Sequence, residues 1–351
     1  MDKILRLREP RDLLALVPYR LGFHPERSTV LVSVVVTAAG RDEVGLVARV
    51  DTADLLHPVG GPGVARGLAR HLEEDGADAV LAVFYTDLDA GERSLSPELA
   101  QAREVLQKAL GRVLDPWAVG PDSWGHLACA GCCPAQGRSL QDLTGSEVAA
   151  VMVLAGRSAA RRRDDLAVGR AAAGPRAVAA RAAEHAGVAR RQERPGARRL
   201  DASGRWDRAL GAAEARVPGP AVLGGLLDSL ADRVVRDAVL ARTLDGGSRP
   251  VRHYLDARQV ARAFDAAGPP VPGAVEPAMA LAGAVAAHAP DGGAAPALGM
   301  LAFLAWWSAD GARADVLARQ ALDEEPGYAL AELVVTALLQ GMPPPWYRRR
   351  A

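Results

Sequence analysis

The chain has 351 residues, of which 49% are hydrophobic and only 4% aromatic, so its cores must consist mainly of alanine, valine and leucine. A chain of this length can form two domains of ordinary size. Its 42 basic and 42 acidic residues cancel, which excludes an overall charge that attracts nucleic acid or anionic membranes.

The amino-acid composition reflects the base composition of the genome rather than a function. Arginine outnumbers lysine forty to two, isoleucine occurs once and asparagine is absent, as expected from a GC-rich genome. No uncharged apolar span reaches about 18 residues, and the first residues lack the apolar segment of a secretory signal. We therefore expect a cytoplasmic protein that neither binds nucleic acid nor enters a membrane.

Residues 1–155 alternate between strand and helix patterns. The first predicted elements are a strand at Ile4 to Leu7, a helix opening at Pro10, and a hairpin of two strands, Ser28 to Val36 and Val44 to Val50. They are followed by a helix from the glycines at 60–63 to about Glu74, a strand from Ala77 to Tyr85, a helix from Pro97 to Leu110, and a strand from Val113 to Val119. This alternation predicts an α/β domain with a mixed sheet.

Residues 156–220 are rich in alanine and arginine and predict a linker or helical arm. Between Arg157 and Arg199 twelve arginines occur with four acidic residues. The stretch is either a basic arm for a phosphate polymer or acidic partner, or a solvated helix biased by codon usage. The absence of aromatic side chains favours the second interpretation.

Residues 221–351 carry apolar side chains at helical spacing and predict a helical domain. Placing Pro326 at the end of a tetratricopeptide-like repeat of about 34 residues puts apolar or small residues where that hairpin needs them. These residues are Leu298, Leu301, Ala302, Ala314 and Ala321. Any alanine-rich helical hairpin is the alternative.

Two aspartates, Asp51 and Asp87, each follow an apolar strand directly. In open α/β sheets, ligands bind beyond the carboxyl ends of strands, where such carboxylates converge if the strands are neighbours and parallel. Arg49 and Tyr85 precede them by two residues and so share their faces. The group predicts a site that binds a metal or sugar hydroxyl or supplies acid and base. The alternative is that the aspartates cap loops and Arg49 pairs with one of them.

His24 lies where the first helix gives way to the first long strand. An imidazole titrates near neutrality, so His24 is a candidate proton carrier, although a structural role is the alternative. Tyr19 and Arg20 are close in sequence and are predicted to line the same crevice, with Arg20 suited to an anion.

The three cysteines, Cys129, Cys132 and Cys133, lie close to His126. Their spacing would let one metal take a histidine and two or three thiolates, but a second ligand pair, typical of structural zinc sites, is missing. A reactive thiol with His126 or His24 as base is a further hypothesis. The plain alternative is a tightly packed corner of reduced thiols.

Several of these motifs together resemble an actinobacterial family defined only as a domain of unknown function. The resemblance rests on Asp12-Leu13-Leu14, Leu21-Gly22-Phe23-His24-Pro25, Arg49-Val50-Asp51, Tyr85-Thr86-Asp87 and Cys132-Cys133-Pro134 with Gly137, and extends more loosely to Gly299 through Trp346. It implies the architecture and leaves the function open.

Two functions are therefore predicted. The first is a binding or regulatory protein, with a ligand crevice for a small anion at the strand ends and a helical domain that docks a protein partner. The alternative is an enzyme for a small phosphorylated or nucleotide-like substrate that uses Asp51 and Asp87. The sequence specifies neither a cofactor nor a metal.

Overall fold

The computed structural model describes residues 9–36, 42–111, 115–127, 131, 133–213 and 216–348. The chain divides into two compact units, residues 1–163 and 164–351. The first has a mixed sheet with helices and the second is mostly helical, which confirms the predicted fold class. The predicted boundaries at 155 and 220 stay a prediction.

The first unit contains six strands and seven α-helices among the described residues. The strands are β1 (Ser28–Val36), β2 (Asp42–Asp51), β3 (Ala79–Tyr85), β4 (Asp115–Val119), β5 (Ser123–His126) and β6 (Arg138–Ser139). The helices are α1 (Pro10–Leu21), α2 (Thr52–Leu56), α3 (Gly61–Glu74), α4 (Ala90–Leu95), α5 (Pro97–Leu110), α6 (Gln141–Thr144) and α7 (Glu147–Leu154). The strand predicted at residues 4–7 lies outside the described residues.

The sheet has the order β2-β1-β3-β4-β5-β6. Strand β1 is antiparallel to both β2 and β3, β3 is parallel to β4, and β5 is antiparallel to both β4 and β6. Because β2 and β3 flank β1 and oppose its direction, they run the same way. The last residues of β2 and β3 therefore lie at the same end of the sheet, beside the first residue of β1.

Both faces of the central strands are buried. Helices α3 and α5 cover one face, where Leu31, Phe84 and Ala118 belong to the same apolar core as the helix residues. On the other face, Val30 and Val83 are also fully buried. Burial on both faces explains why β1 and β3 read as continuous apolar runs rather than as alternating patterns.

The second unit contains ten α-helices among the described residues. They are α8 (Ala173–Gln192), α9 (Pro195–Ala213), α10 (Pro220–Leu230), α11 (Arg233–Leu244), α12 (Ala257–Ala266), α13 (Pro272–His288), α14 (Ala295–Trp307), α15 (Gly311–Glu324), α16 (Ala329–Leu339) and α17 (Pro345–Arg348). The arginine-rich stretch thus contains α8 and α9. Within the described residues, every helix is too short or too polar to cross a membrane.

The segment predicted to form a repeat folds as α14 and α15, which share one apolar core. Its predicted apolar and small positions are all buried: Leu298, Leu301, Ala302, Ala314 and Ala321. Asp310 begins α15 by accepting a hydrogen bond from the Arg313 backbone N–H at 3.1 Å. An ordinary helical hairpin would bury the same positions, so the tetratricopeptide-like repeat stays a prediction.

Candidate functional site

A row of polar residues lies at the end of the sheet where β2 and β3 finish and β1 begins. Ser28, the first residue of β1, pairs with Asp51 of β2 on one side and with Tyr85 of β3 on the other. Directly paired residues project from the same face of a sheet, so these three side chains share a face. We call this row, together with Arg27, Arg49 and Asp87, the strand-end cluster. Asp51 and Asp87 thus lie at one edge, although β1 separates their strands.

Arg49 ties the cluster together. Its Nη2 and Nη1 atoms donate to the two carboxylate oxygens of Asp51 at 2.6 and 3.2 Å, and its Nε donates to Ser28 Oγ at 2.8 Å. Ser28 Oγ in turn donates to the Glu26 carbonyl at 2.6 Å. The Arg49 side chain is 17% exposed, so this guanidinium is held in a fixed position near the surface.

Asp51 does not cap the helix that follows it. It occupies the N-cap position of α2, yet its carboxylate makes no capping hydrogen bond. The carboxylate is half exposed and faces Arg49 instead. Of the two roles proposed for a structural Asp51, the structure therefore contains the pairing with Arg49 and lacks the cap.

Tyr85 has a hydroxyl that no described residue hydrogen-bonds. The residue is only 8% exposed, and its burial raises the pKa of the phenol far above its ordinary value of 10.0. The phenol is therefore neutral at physiological pH and offers one O–H donor. The hydroxyl is not among the buried polar atoms that lack a partner, so the tip of this otherwise buried side chain reaches solvent, where water can bond it.

Asp87 is placed differently from Asp51. Its carboxylate lies 3.7 Å from the Arg27 guanidinium, and both side chains are about four-fifths exposed. Water and salt screen such a pair, which contributes less than about 1 kcal/mol. Asp87 and Arg27 form the solvated side of the cluster, whereas Arg49 and Tyr85 form its more buried side.

His24 is exposed beside the sheet, and the described residues leave its imidazole without a hydrogen-bond partner. Partial burial lowers its pKa below the ordinary value of 6.5, which favours the neutral imidazole. Its backbone N–H donates to the Ala160 carbonyl at 2.9 Å. A base or proton carrier needs a positioned partner, and the structure supplies none within the described residues.

Arg20 is not brought to the strand-end cluster. Its Nη2 donates to the Gly45 carbonyl at 3.1 Å, near the opposite end of β2 from Asp51. Tyr19 is half-buried on α1, without a hydrogen bond from its hydroxyl among the described residues. Among the described residues, the side chains of Tyr19, Arg20 and His24 therefore share no hydrogen-bond partner that would bring them into the expected crevice.

At the cysteine corner the structure describes Cys133 and His126, whereas Cys129 and Cys132 lie outside the described residues. His126 Nε2 lies 2.8 Å from Asp115 Oδ1, and Asp115 Oδ2 accepts from Trp117 Nε1 at 2.8 Å. Cys133 Sγ accepts from the backbone N–H of His126 at 3.5 Å. Among described residues, no group of three histidine, cysteine or acidic side chains is placed to hold a metal.

Arg93 is the main polar residue that sequence analysis missed. It is 4% exposed on α4, and its guanidinium donates to the carbonyls of Ala118 and Ser123 at 3.2 and 2.8 Å and to Ser123 Oγ at 2.6 Å. Burial lowers its pKa, and the nearby charges of Asp89 and Cys133 oppose that shift. The capping pattern Asp89 to Glu92 marks the start of α4 in the sequence, but nothing local signals that Arg93 turns inward.

Comparison with known proteins places most of the chain in one family. No curated protein and no solved structure matches the chain. A family model described as a domain of unknown function, DUF4192, matches residues 10–345, which include the strand-end cluster and nearly all of the helical unit. The chain therefore belongs to the DUF4192 family, which confirms the predicted membership of a family defined as a domain of unknown function.

Proposed function

We propose that this protein is a cytoplasmic binding or regulatory protein that binds a small anionic ligand at the strand-end cluster. One observation carries the proposal: Ser28 and Asp51 hold the Arg49 guanidinium in the same row as the Tyr85 hydroxyl, which no described residue hydrogen-bonds. A ligand with an acceptor group would replace water as the partner of this hydroxyl. The proposal gives that hydroxyl a function at the same row as Arg49 and Asp51.

The charges of the cluster favour an anion with additional polar groups. Three of the five N–H groups of Arg49 bond Ser28 and Asp51, which leaves two for a ligand. Arg27 is exposed at the same edge and held only by a screened pair with Asp87. Two guanidinium groups and a phenol suit a carboxylate or phosphoryl group, and Asp51 suits a hydroxyl or amino group of the same ligand.

The enzyme alternative, with Asp51 and Asp87 as acid and base, has weaker support. Each carboxylate already faces a guanidinium, Arg49 or Arg27. An acid or base must exchange a proton with the substrate, whereas these carboxylates are already directed at cations of the protein itself. The sequence also predicts a protein partner for the helical unit, but the support described above concerns the strand-end cluster alone.

Calorimetric titration of the full chain tests the proposal. The probes are inorganic phosphate, a sugar phosphate, a mononucleotide and a dicarboxylate. We expect at least one to bind, and we expect Tyr85→Phe to weaken it about five- to ten-fold, because only the hydroxyl is lost. Arg49→Gln removes the fixed guanidinium and should weaken the same ligand further.

Tyr347→Phe is the matched control, since this tyrosine lies on α17 in the other unit. Binding that is weakened by Tyr85→Phe and unchanged in Tyr347→Phe supports the proposal. Binding equally strong in all variants, or no binding of any probe, overturns it. If a probe is converted to product and Asp87→Asn stops conversion without stopping binding, the enzyme alternative replaces it.

A further inference from the structure

The helical unit contains an open cavity of about 370 Å³ that belongs to none of the sites predicted from the sequence. It is lined by Leu200 of α9 and by Arg249, Pro250, Arg252 and His253. This volume falls in the range of known small-molecule pockets, about 300–1,000 Å³, but the cavity is widely open, so a ligand there would stay partly exposed to solvent. Its lining combines three basic side chains with two apolar ones.

The segment that carries the basic residues is firmly held. Residues Val251–Leu255 form a short 3-10 helix, and the Val251 backbone N–H donates to both carboxylate oxygens of Asp207 at 3.0 and 3.2 Å. Val251 and Tyr254 are buried at 0% and 2% exposure. Because Val251 and Tyr254 are anchored on either side of them, Arg252 and His253 project from a fixed backbone.

The two arginines of the cavity differ from others in the same unit. Arg199 pairs with Asp232, and Arg242 pairs with Asp207. Arg249 and Arg252 form no ion pair or hydrogen bond with any residue that the structure describes. Their N–H donors are therefore available to a ligand.

Two carboxylates, Asp207 and Asp245, lie near this group, and Asp207 is paired with Arg242. Asp245 Oδ2 accepts hydrogen bonds from the hydroxyls of Ser248 and Tyr254, which lower the pKa of Asp245, and the charges of Arg249 and His253 lower it further. Asp245 is thus bonded by hydroxyls rather than by guanidinium groups. Because Arg242 balances Asp207, the two lining arginines outnumber Asp245 and give the cavity a net positive charge.

We infer that this cavity is a second binding site, which takes the phosphoryl group of a small organic phosphate. The planar guanidinium groups of Arg249 and Arg252 match phosphate oxygens in pairs of hydrogen bonds, and His253 adds a third donor. Leu200 and Pro250 provide an apolar wall for the organic part of the ligand. The inference does not depend on the strand-end cluster, which lies in the other unit.

The test is calorimetric titration of the full chain with a mononucleotide, its uncharged nucleoside and inorganic phosphate. It is carried out in the Tyr85→Phe background so that the strand-end cluster is weakened. We expect the mononucleotide to bind and Arg252→Gln or Arg249→Gln to weaken it about ten-fold or more, since a charged hydrogen bond is lost. Arg262→Gln, an exposed arginine of α12, is the matched control and should change nothing.

Inorganic phosphate binding as tightly as the mononucleotide would overturn the role of the apolar wall and reduce the site to one for free phosphate. Equal weakening by Arg262→Gln would overturn the site altogether, because attraction would then depend on overall charge. No binding in the Tyr85→Phe background, with binding in the wild-type chain, would also overturn it and would leave the proposed function of the strand-end cluster intact. A thermal-unfolding midpoint for each variant confirms that the variants are folded.

Discussion

The two units hold themselves together by different interactions. In the sheet unit, Arg93 is 4% exposed and bonds neutral main-chain oxygens of two other segments. In the helical unit, Arg236 is 9% exposed, and its partners are Asp237, a carboxylate that is itself 40% exposed, and the Tyr328 hydroxyl. Both arginines join distant segments, but the buried cation is met by neutral oxygens in the first unit and by a carboxylate that water can reach in the second.

Close contact between small residues also joins the helices of the second unit. Gly224 of α10 lies directly against Ala179 of α8, and a β-carbon at Gly224 would overlap the Ala179 carbonyl. Many of its buried core residues are alanines, including Ala302 and Ala318 at 0% exposure. Polar contacts between distant residues, such as Arg236 with Tyr328, also link helices of this unit, so close backbone approach adds to them rather than replacing them.

Substitution of Gly224 by alanine is expected to have the largest effect. The added methyl group must push α8 and α10 apart, because it meets backbone rather than a flexible side chain. Overpacking of this kind costs about 3 kcal/mol. Urea denaturation measures the loss, and hydrogen exchange followed by mass spectrometry should locate it in the helical unit.

The neighbouring glycine provides the control for this prediction. A β-carbon at Gly225 meets nothing within 4 Å, so Gly225→Ala should stabilise α10 by up to about 1 kcal/mol. Equal effects of the two substitutions would show that helix propensity, and not close approach, decides stability here.

Replacement of Arg93 by methionine should have the next largest effect. It leaves the Ala118 and Ser123 carbonyls and Ser123 Oγ without this donor, at a cost of about 2 kcal/mol. Arg236→Met should cost only about 1 kcal/mol, since Asp237 can be solvated. Denaturant midpoints of both variants check the order; a greater loss from Arg236→Met would contradict the comparison.

Elements of the fold were predictable because their signals are local. The β-branched run from Ser28 to Val36 is the whole of β1, and Pro97 and Leu110 are the first and last residues of α5. The sequence also indicated that strands end at or just before Asp51 and Asp87, but it predicted their convergence only for neighbouring parallel strands, and β1 separates these two. The spacing of apolar and polar residues along the chain was enough to locate these strands and helices.

Contacts between distant segments could not be predicted in the same way. Arg93 meets Ala118 and Ser123 across 25 and 30 residues, and Arg20 meets Gly45 instead of the residues near His24. Which segments meet depends on sheet order, and no local pattern specifies that β1 lies between β2 and β3. For the same reason, the sequence offered no sign that the Tyr85 hydroxyl lacks a partner.

The acid sensitivity of the helical unit should depend on Asp232. Burial alone would raise the pKa of its carboxyl, but hydrogen bonds from Arg199, the Val234 backbone N–H and Arg198 lower it below 3.8 overall. A depressed pKa in the folded state stabilises the fold above the unfolded value, and this contribution is lost as the pH falls through the folded pKa. Asp232→Asn, which keeps the helix cap, should cost about 1 kcal/mol at neutral pH.

Urea midpoints at pH 7, 5, 4 and 3 would follow this contribution. The difference between wild type and Asp232→Asn should be constant at the two higher values and shrink below about pH 4, where the Asp232 carboxyl of the unfolded chain begins to gain a proton while that of the folded chain stays ionised to lower pH. A difference that is the same at pH 3 as at pH 7 would assign the effect to packing instead of charge.

The smallest predicted change of stability is that of Tyr85→Phe, and its sign matters more than its size. Removing a hydroxyl that has no partner among the described residues should leave stability unchanged or raise it by up to about 1 kcal/mol, because nothing that bonded it is lost. Thermal unfolding without ligand measures this. Destabilisation would show that the hydroxyl is already satisfied and would weaken the strand-end proposal. A neutral or stabilising result combined with weaker ligand binding would separate the two roles of the side chain: the ring packs the sheet, and the hydroxyl binds the ligand.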